Sequence, residues 1–106
     1  MKTIIVSLAA AGLLIAGNVM AVDMPADGKS KCGACHKIDK KFVGPSFNEI
    51  AAKYKGQADA EKTLIANITK GGKFGWGSSP MPARGMGAND AQIAALAKFI
   101  AIDLNK

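Results

Sequence analysis

The pentapeptide CGACH constrains this chain most, because it holds both cysteines, Cys32 and Cys35, and the sole histidine, His36. Residues three apart lie on the same side of a helical turn, so both thiols can face one partner. The imidazole follows one step further round that turn. Any hypothesis for this segment must therefore explain two thiols and one imidazole acting together.

Four hypotheses compete for this motif. A disulfide between Cys32 and Cys35 would close a very short loop and restrain little of the unfolded chain. A thiol-disulfide oxidoreductase also uses CxxC, but there the motif follows a strand, and no strand pattern precedes this one. A zinc site needs four ligands, and the motif supplies three candidates. Covalent haem attachment uses every member, with thioethers from both cysteines and an axial ligand from His36, and it is the hypothesis we favour.

The second axial ligand of such an iron is often a methionine thioether, which favours the reduced state. Beyond residue 21 the chain offers Met24, Met81 and Met86. Met24 is too close to the motif in sequence to reach the other face of the ring. Met81 stands between Pro80 and Pro82, which hold the backbone extended, whereas Met86 has flexible glycine neighbours. The pattern favours Met81 as the ligand and a surface or gap-filling role for Met86.

The first 21 residues, MKTIIVSLAAAGLLIAGNVMA, combine a lysine, an apolar run and small residues at the end, as a secretory signal peptide does. A retained membrane anchor is the alternative, because the apolar stretch approaches the roughly 20 residues of a spanning helix. The short apolar core, with no basic flank after it, favours cleavage after Ala21. We therefore predict a signal peptide over 1–21, one small domain over 22–106, and a periplasmic location.

Helical periodicity dominates residues 22–106, and no segment alternates as a strand does, so the predicted class is all-α. Predicted helices run from Pro25 to near Lys37, from about Phe47 to Lys55, over 59–70 and over 89–104. Ser46 with Glu49 and Asn89 with Gln92 have the spacing of helix-capping pairs. The glycine- and proline-rich segment 71–87 is too long for a structureless loop, unless it packs against something specific such as a cofactor.

The formal net charge of +6 comes from scattered lysines and one arginine. With few aromatic residues and no basic run, nucleic-acid binding is not predicted. Basic residues near the motif or the ligand loop are candidates for guiding an acidic redox partner, although ordinary solvated side chains are equally compatible with the pattern. These residues are Lys37, Lys40, Lys41, Lys73 and Arg84.

The stretches CGACH, VGPSFNEIAAKY, GWGSSPMP and the final helix resemble, in this order, the short bacterial class I monohaem cytochromes c of the c-551/c-552 type. The resemblance implies about four helices around one covalently attached haem c, with crossing N- and C-terminal helices, and soluble electron transfer. The thioether and axial positions that it implies are Cys32, Cys35, His36 and Met81. It also implies that the Pro45 carbonyl accepts a hydrogen bond from His36 and that Trp76 donates to a haem propionate; otherwise Trp76 fills the loop.

Two departures from the family pattern are present. The segment MPADGKSK before the first cysteine is polar and broken, where members carry apolar residues that pack against the last helix. After the ligand the chain continues MPARG, without the usual asparagine, so a hydrogen bond from that asparagine to the Met81 sulfur is not implied.

The predicted function is a soluble, monomeric carrier that moves one electron between partner proteins as its iron alternates between Fe(II) and Fe(III). With both axial positions filled, no substrate reaches the metal, so no enzymatic activity is predicted. No stable membrane association is expected after signal cleavage. The alternative from another class is a haem peroxidase or gas sensor in which a labile Met81 leaves the iron open.

Overall fold

The computed structural model describes residues 22–106, and the signal peptide predicted for residues 1–21 lies outside that range. Four α-helices are followed by a 3₁₀ helix: α1 Ala26–Lys31, α2 Phe47–Tyr54, α3 Ala60–Lys70, α4 Asp90–Ala101 and the 3₁₀ helix Asp103–Asn105. Within the described range, β pairing is limited to one isolated antiparallel bridge, Gly72 to Met81. The predicted all-α class is confirmed. None of the described helices combines the length and apolar character that crossing a membrane requires.

Helix α1 ends at Lys31, so the prediction of a helix continuing to about Lys37 is wrong. The cause lies at Gly33, where a β-carbon would stand 2.4 Å from the carbonyl oxygen of Lys29. Glycine permits this close approach of the backbone and also lowers helix propensity. The CGACH motif consequently follows the helix in a series of turns.

Helices α2 and α4 begin where the capping pairs predict. The Ser46 hydroxyl accepts from the Glu49 N–H at 3.0 Å, and the Glu49 carboxylate accepts from the Ser46 N–H at 2.8 Å. Asn89 and Gln92 make the same reciprocal pair at 2.8 and 2.9 Å. Both pairs satisfy N–H groups that the first turn of a helix leaves without partners.

Helix α4 is the centre of the packing, because it contacts α1, α2, α3 and the 3₁₀ helix. Ile93 and Leu96 on this helix are its most deeply buried large side chains. Phe99 is also buried, while Leu104 is only partly buried. A central apolar helix of this kind lets the shorter helices bury one face each.

Helices α1 and α4 pack together through Gly28. A β-carbon at this position would lie 2.7 Å from Met24 Cγ and 2.9 Å from Leu96 Cδ2, so glycine is what lets the two helices approach. At the edge of the contact, Gln92 Nε2 donates to Asp27 Oδ1 at 3.1 Å. The polar segment before the motif therefore packs against the last helix with Met24 as its buried apolar side chain, and the close backbone approach at Gly28 makes up for the lack of others.

Candidate cofactor site

Hydrogen-bonded turns carry the CGACH motif directly after α1. The N–H groups of Cys35 and His36 both donate to the carbonyl of Cys32, at 3.1 and 2.9 Å. The two cysteines and the histidine all line the same cavity. The structure thus brings the two thiols and the imidazole to one site, as their spacing predicts.

The imidazole of His36 is held in one orientation. Its Nδ1 lies 2.7 Å from the carbonyl oxygen of Pro45, and because a carbonyl only accepts, Nδ1 carries the proton. The lone pair of Nε2 is therefore available to a metal. The ring is buried, packs 5.5 Å from the ring centroid of Phe47, and has Gly44 so close that a β-carbon there would stand 2.6 Å from Cε1.

Both cysteines are free thiols, with Cys32 buried and Cys35 half-buried. Burial raises the pKa of the Cys32 thiol, and the neighbouring Cys35 raises it further. A thiol-disulfide oxidoreductase instead needs a first thiol whose pKa is lowered. The electrostatics of this turn therefore disfavour that enzyme.

The cavity has a volume of about 290 Å³, close to the lower end of the range for sites that bind small molecules. A packed protein interior has few voids larger than a water molecule, so a space of this size indicates a binding site. Its walls are mainly apolar and come from α2, α3 and α4: Phe47, Ile50, Tyr54, Leu64, Ile68, Leu96 and Ile100. Such walls suit a large, flat and mostly apolar cofactor.

Met81 lines this cavity from the loop between α3 and α4. The bridge to Gly72 holds its backbone, with the Met81 N–H donating at 2.8 Å and its carbonyl accepting at 2.9 Å. Its half-buried side chain packs against a small core cluster of Ile68, Ala88 and Ile93. A regular pair of backbone bonds and a packed side chain give the sulfur a defined position.

The other two candidate methionines do not line the cavity. Met24 is 7% exposed and belongs to the main core, where it packs beside Gly28. Met86 is 61% exposed, and its N–H donates to the carbonyl of Lys31 at 2.9 Å. Of the three, only Met81 stands where it could approach a cofactor held by the motif.

Trp76 lines the cavity from the glycine-rich loop, and a hydrogen-bonded pair of side chains from α2 and α3 lies in the same lining. These are Tyr54 and Asn67, with Asn67 Nδ2 donating to the Tyr54 hydroxyl at 3.3 Å. The sequence pattern gives neither residue a functional role, because Tyr54 shares a helix face with the apolar Ile50 and Asn67 belongs to no motif. Their pairing joins α2 to α3, which sequence spacing within one helix does not reveal.

Comparison with known proteins gives the family of this chain. The sequence profile of the family described as Cytochrome c matches residues 26–101. The chain belongs to the cytochrome c family. The cytochrome c-551 of Pseudomonas aeruginosa is 42% identical over 97 residues, covering 91% of this chain and 91% of that protein. The cytochrome c-552 of Nitrosomonas europaea is 43% identical over 95 residues, covering 89% of each.

Solved structures of cytochromes c share the fold. The crystal structure of wild-type Nitrosomonas europaea cytochrome c552 superposes with a TM-score of 0.66 at 39% identity, over 72% of this chain and 94% of that one. The class 1 cytochrome MtoD from Sideroxydans lithotrophicus ES-1 gives 0.59 at 30% identity, over 74% and 89%. This cytochrome therefore has the class I fold that the resemblance implies.

The residues of this cytochrome c fit the cofactor of the family. One haem c is attached covalently, and Cys32 and Cys35 fit the CxxCH attachment motif. The apolar walls, the free Nε2 of His36 and the nearby thioether of Met81 suit a porphyrin and its iron. Residues 22–106 contain no group of three or more His, Cys, Asp or Glu side chains that could hold a metal ion. The protein is a haem c electron carrier.

The basic residues selected from the sequence are distributed unevenly around the cavity. Lys41 is part of the lining, and Lys37 donates from Nζ to the Gly33 carbonyl at 3.1 Å. Arg84 is engaged elsewhere, because its guanidinium pairs with Asp90 at 2.8 Å. Lys40 and Lys73 are exposed.

Proposed function

We propose that this cytochrome c is a soluble, monomeric periplasmic carrier of single electrons whose haem iron is held by His36 and Met81. One observation carries the proposal: these two side chains line the same apolar cavity from different parts of the core. His36 packs on Phe47 of the main core cluster, and Met81 packs on the smaller one. Haem bound there supplies an iron that alternates between Fe(II) and Fe(III).

The side chains of this site would orient the cofactor and exclude water. Cys32 and Cys35 would hold it through two thioethers. The Pro45 carbonyl, 2.7 Å from Nδ1, would fix the tautomer of His36 and increase the basicity of Nε2. The sulfur of Met81 would favour the reduced state. With both axial positions taken, no substrate would coordinate the iron, which supports a carrier and not an enzyme.

Trp76 would donate its indole N–H to a haem propionate. This role is supported by the place of the side chain in the cavity lining, which also contains the hydrogen-bonded pair Tyr54 and Asn67. A few polar groups in a mostly apolar pocket orient the polar end of a ligand.

Variants at two methionines test the axial ligation. We expect Met81→Ala to lose the methionine-to-iron charge-transfer band near the red end of the oxidised spectrum and to have a lower reduction potential. Met86→Ala is the matched control, because Met86 is 61% exposed and outside the cavity lining, and it should keep both properties. A wild-type protein with high-spin iron and no such band would instead favour a peroxidase or gas sensor with an open site.

The periplasmic location follows from the leader, with residues 1–21 as a cleaved signal peptide and 22–106 as the cytochrome c domain. It is supported by the apolar run and the small residues before Val22. Intact mass spectrometry of exported protein tests both parts, because leader loss lowers the mass and haem attachment raises it. A mass that still includes residues 1–21 would contradict the cleavage.

An acidic redox partner would dock where the exposed apolar side chains Phe42 and Val43, 57% and 58% exposed, meet basic ones. Lys37 lies 5.2 Å from the ring centroid of Phe42, and Lys41 and Val43 are in the cavity lining. Weak contacts of this kind suit rapid exchange of partners. The rate of electron transfer to an acidic partner should fall as ionic strength rises. A rate independent of salt would argue against steering by these lysines.

A further inference from the structure

The glycine-rich loop that follows α3 forms one wall of the cavity, and its backbone is weakly fixed. Gly72 is bonded to Met81 where the loop begins and ends. Between these two residues, Gly75 and Gly77 have positive φ values of 84° and 134°, and a β-carbon at either would meet nothing within 4 Å. Glycines with no close neighbours give the backbone conformational freedom on either side of Trp76, whose side chain packs against the main core.

One side chain of α2 reaches the loop. Within the described range, the only hydrogen bond in the protein that involves residues 73–80 runs from Lys53 Nζ to the Phe74 carbonyl, at 3.2 Å. This bond joins residues 21 apart in sequence. It attaches the loop to a helix that itself packs against α4, the centre of the core.

The same ammonium group also lies near two aromatic rings, one on the loop and one on α2. Lys53 Nζ lies 4.9 Å from the ring centroid of Trp76 and 5.8 Å from that of Tyr54. Both distances are within the range of a cation–π interaction. Trp76 and Tyr54 line the cavity, whereas Lys53 does not. Any effect of Lys53 on the site is therefore exerted through its contacts with the loop and with these two rings.

We propose that Lys53 is a positioning residue that fastens the glycine-rich wall, residues 73–80, to α2 and thereby sets how closely Trp76 covers the haem. The inference rests on the proposed function, because the covered group is the haem of the electron carrier. A fastened wall excludes water from the cofactor, and a drier site favours the less charged reduced iron. Loosening the wall should therefore lower the reduction potential.

The test compares Lys53→Met, which removes the charge and the donor but keeps a chain of similar length, with two other variants. Lys53→Arg keeps a cation and N–H donors. Lys55→Met is the matched control, because Lys55 is exposed, follows α2 directly, and makes no side-chain hydrogen bond or ring contact in the part of the chain that the structure describes. It removes the same charge without touching the loop.

The first measurement is backbone order by ¹⁵N relaxation on the reduced, diamagnetic holoprotein. In Lys53→Met, the order parameters of the amides in 73–79 should fall from values typical of rigid backbone, about 0.85, towards those of flexible segments, below about 0.6. Wild type, Lys53→Arg and Lys55→Met should retain the higher values. Unchanged order parameters in Lys53→Met would overturn the proposal.

The second measurement is the reduction potential of the same proteins. It should fall further in Lys53→Met than in Lys55→Met and recover in Lys53→Arg. Equal falls in both methionine variants would indicate lost charge alone and would also overturn the proposal. If the wild-type protein lacked the methionine charge-transfer band, the proposed ligation would be contradicted; the same order parameters would then be measured on the low-spin, diamagnetic Fe(II)–carbon monoxide complex, so the test of Lys53 would still be decided separately.

Discussion

Replacing Gly44 with alanine should displace the imidazole of His36. The new β-carbon would stand 2.6 Å from Cε1, 3.0 Å from Nδ1 and 3.2 Å from Nε2, so the methyl group would press on the face of the ring. Ordinary carbon contacts lie at about 3.5–4.0 Å. Gly44 has no positive φ, so alanine strains no backbone torsion here and the substitution tests the contact alone.

The ring has little freedom to move away. It is 8% exposed, its Nδ1 is bonded to the Pro45 carbonyl at 2.7 Å, and the Phe47 ring lies 5.5 Å away. Overpacking by one methyl group costs about 1–3 kcal/mol. Stretching the His36 hydrogen bond adds about 1 kcal/mol. A decrease of about 2 kcal/mol or more in the free energy of unfolding corresponds to a fall in Tm of at least about 8 °C for a domain of this size.

Thermal unfolding followed by circular dichroism, together with electron paramagnetic resonance of the oxidised iron, measures both effects. Gly56→Ala is the control, because Gly56 has φ of 81° and a β-carbon there would meet nothing within 4 Å. Gly56→Ala should lower the free energy of unfolding by about 1–2 kcal/mol through backbone strain alone, and it should keep the wild-type resonance spectrum. Gly44→Ala should lose stability and shift the spectrum. If Gly44→Ala kept the wild-type Tm and the wild-type resonance spectrum, the predicted displacement of the His36 imidazole would be refuted.

Three further changes probe other contacts. Gly71→Ala would place a β-carbon 2.5 Å from the Ala83 backbone nitrogen, at a residue whose φ is 66°. Denaturant unfolding should therefore show a loss of about 3 kcal/mol or more in the free energy of unfolding, and the methionine-to-iron band should weaken. An intact band would contradict the predicted displacement of the Met81 loop. Gly28→Val would crowd Met24 Cγ at 2.7 Å, and chemical denaturation should show a loss of about 1–3 kcal/mol in the free energy of unfolding, whereas unchanged stability would contradict the close packing of α1 on α4. Ser46→Ala removes a helix cap and should cost about 1 kcal/mol in urea unfolding at an unchanged reduction potential, whereas a shifted potential would disprove a purely local role.

Local chemistry explains which features were predictable. Both capping pairs join residues three apart, so Ser46 with Glu49 and Asn89 with Gln92 could be recognised without knowledge of the fold. The placing of all three side chains of the CGACH motif at one cavity likewise follows from spacing within one turn.

Contacts between distant residues were less accessible. The hydrogen bond from His36 to the Pro45 carbonyl was anticipated through the family resemblance, and periodicity contained no sign of it. The packing of α1 on α4 could not be predicted from apolar periodicity, because Gly28 acts by letting the two helices approach and adds no apolar side chain. The contact of Lys53 with Phe74 and Trp76 spans separate elements, and no local pattern marks one exposed lysine among many.

The amino-acid sequence by itself determined the helical class, the helix starts and the chemistry of the attachment motif, because each depends on residues within about one turn of one another. Tertiary structure alone decided that α1 approaches α4 at Gly28, that Tyr54 pairs with Asn67 in the cavity lining, and that Lys53 reaches the glycine-rich wall. Those outcomes depend on which surfaces meet after the chain has folded, and burial and close backbone approach are properties of the assembled core.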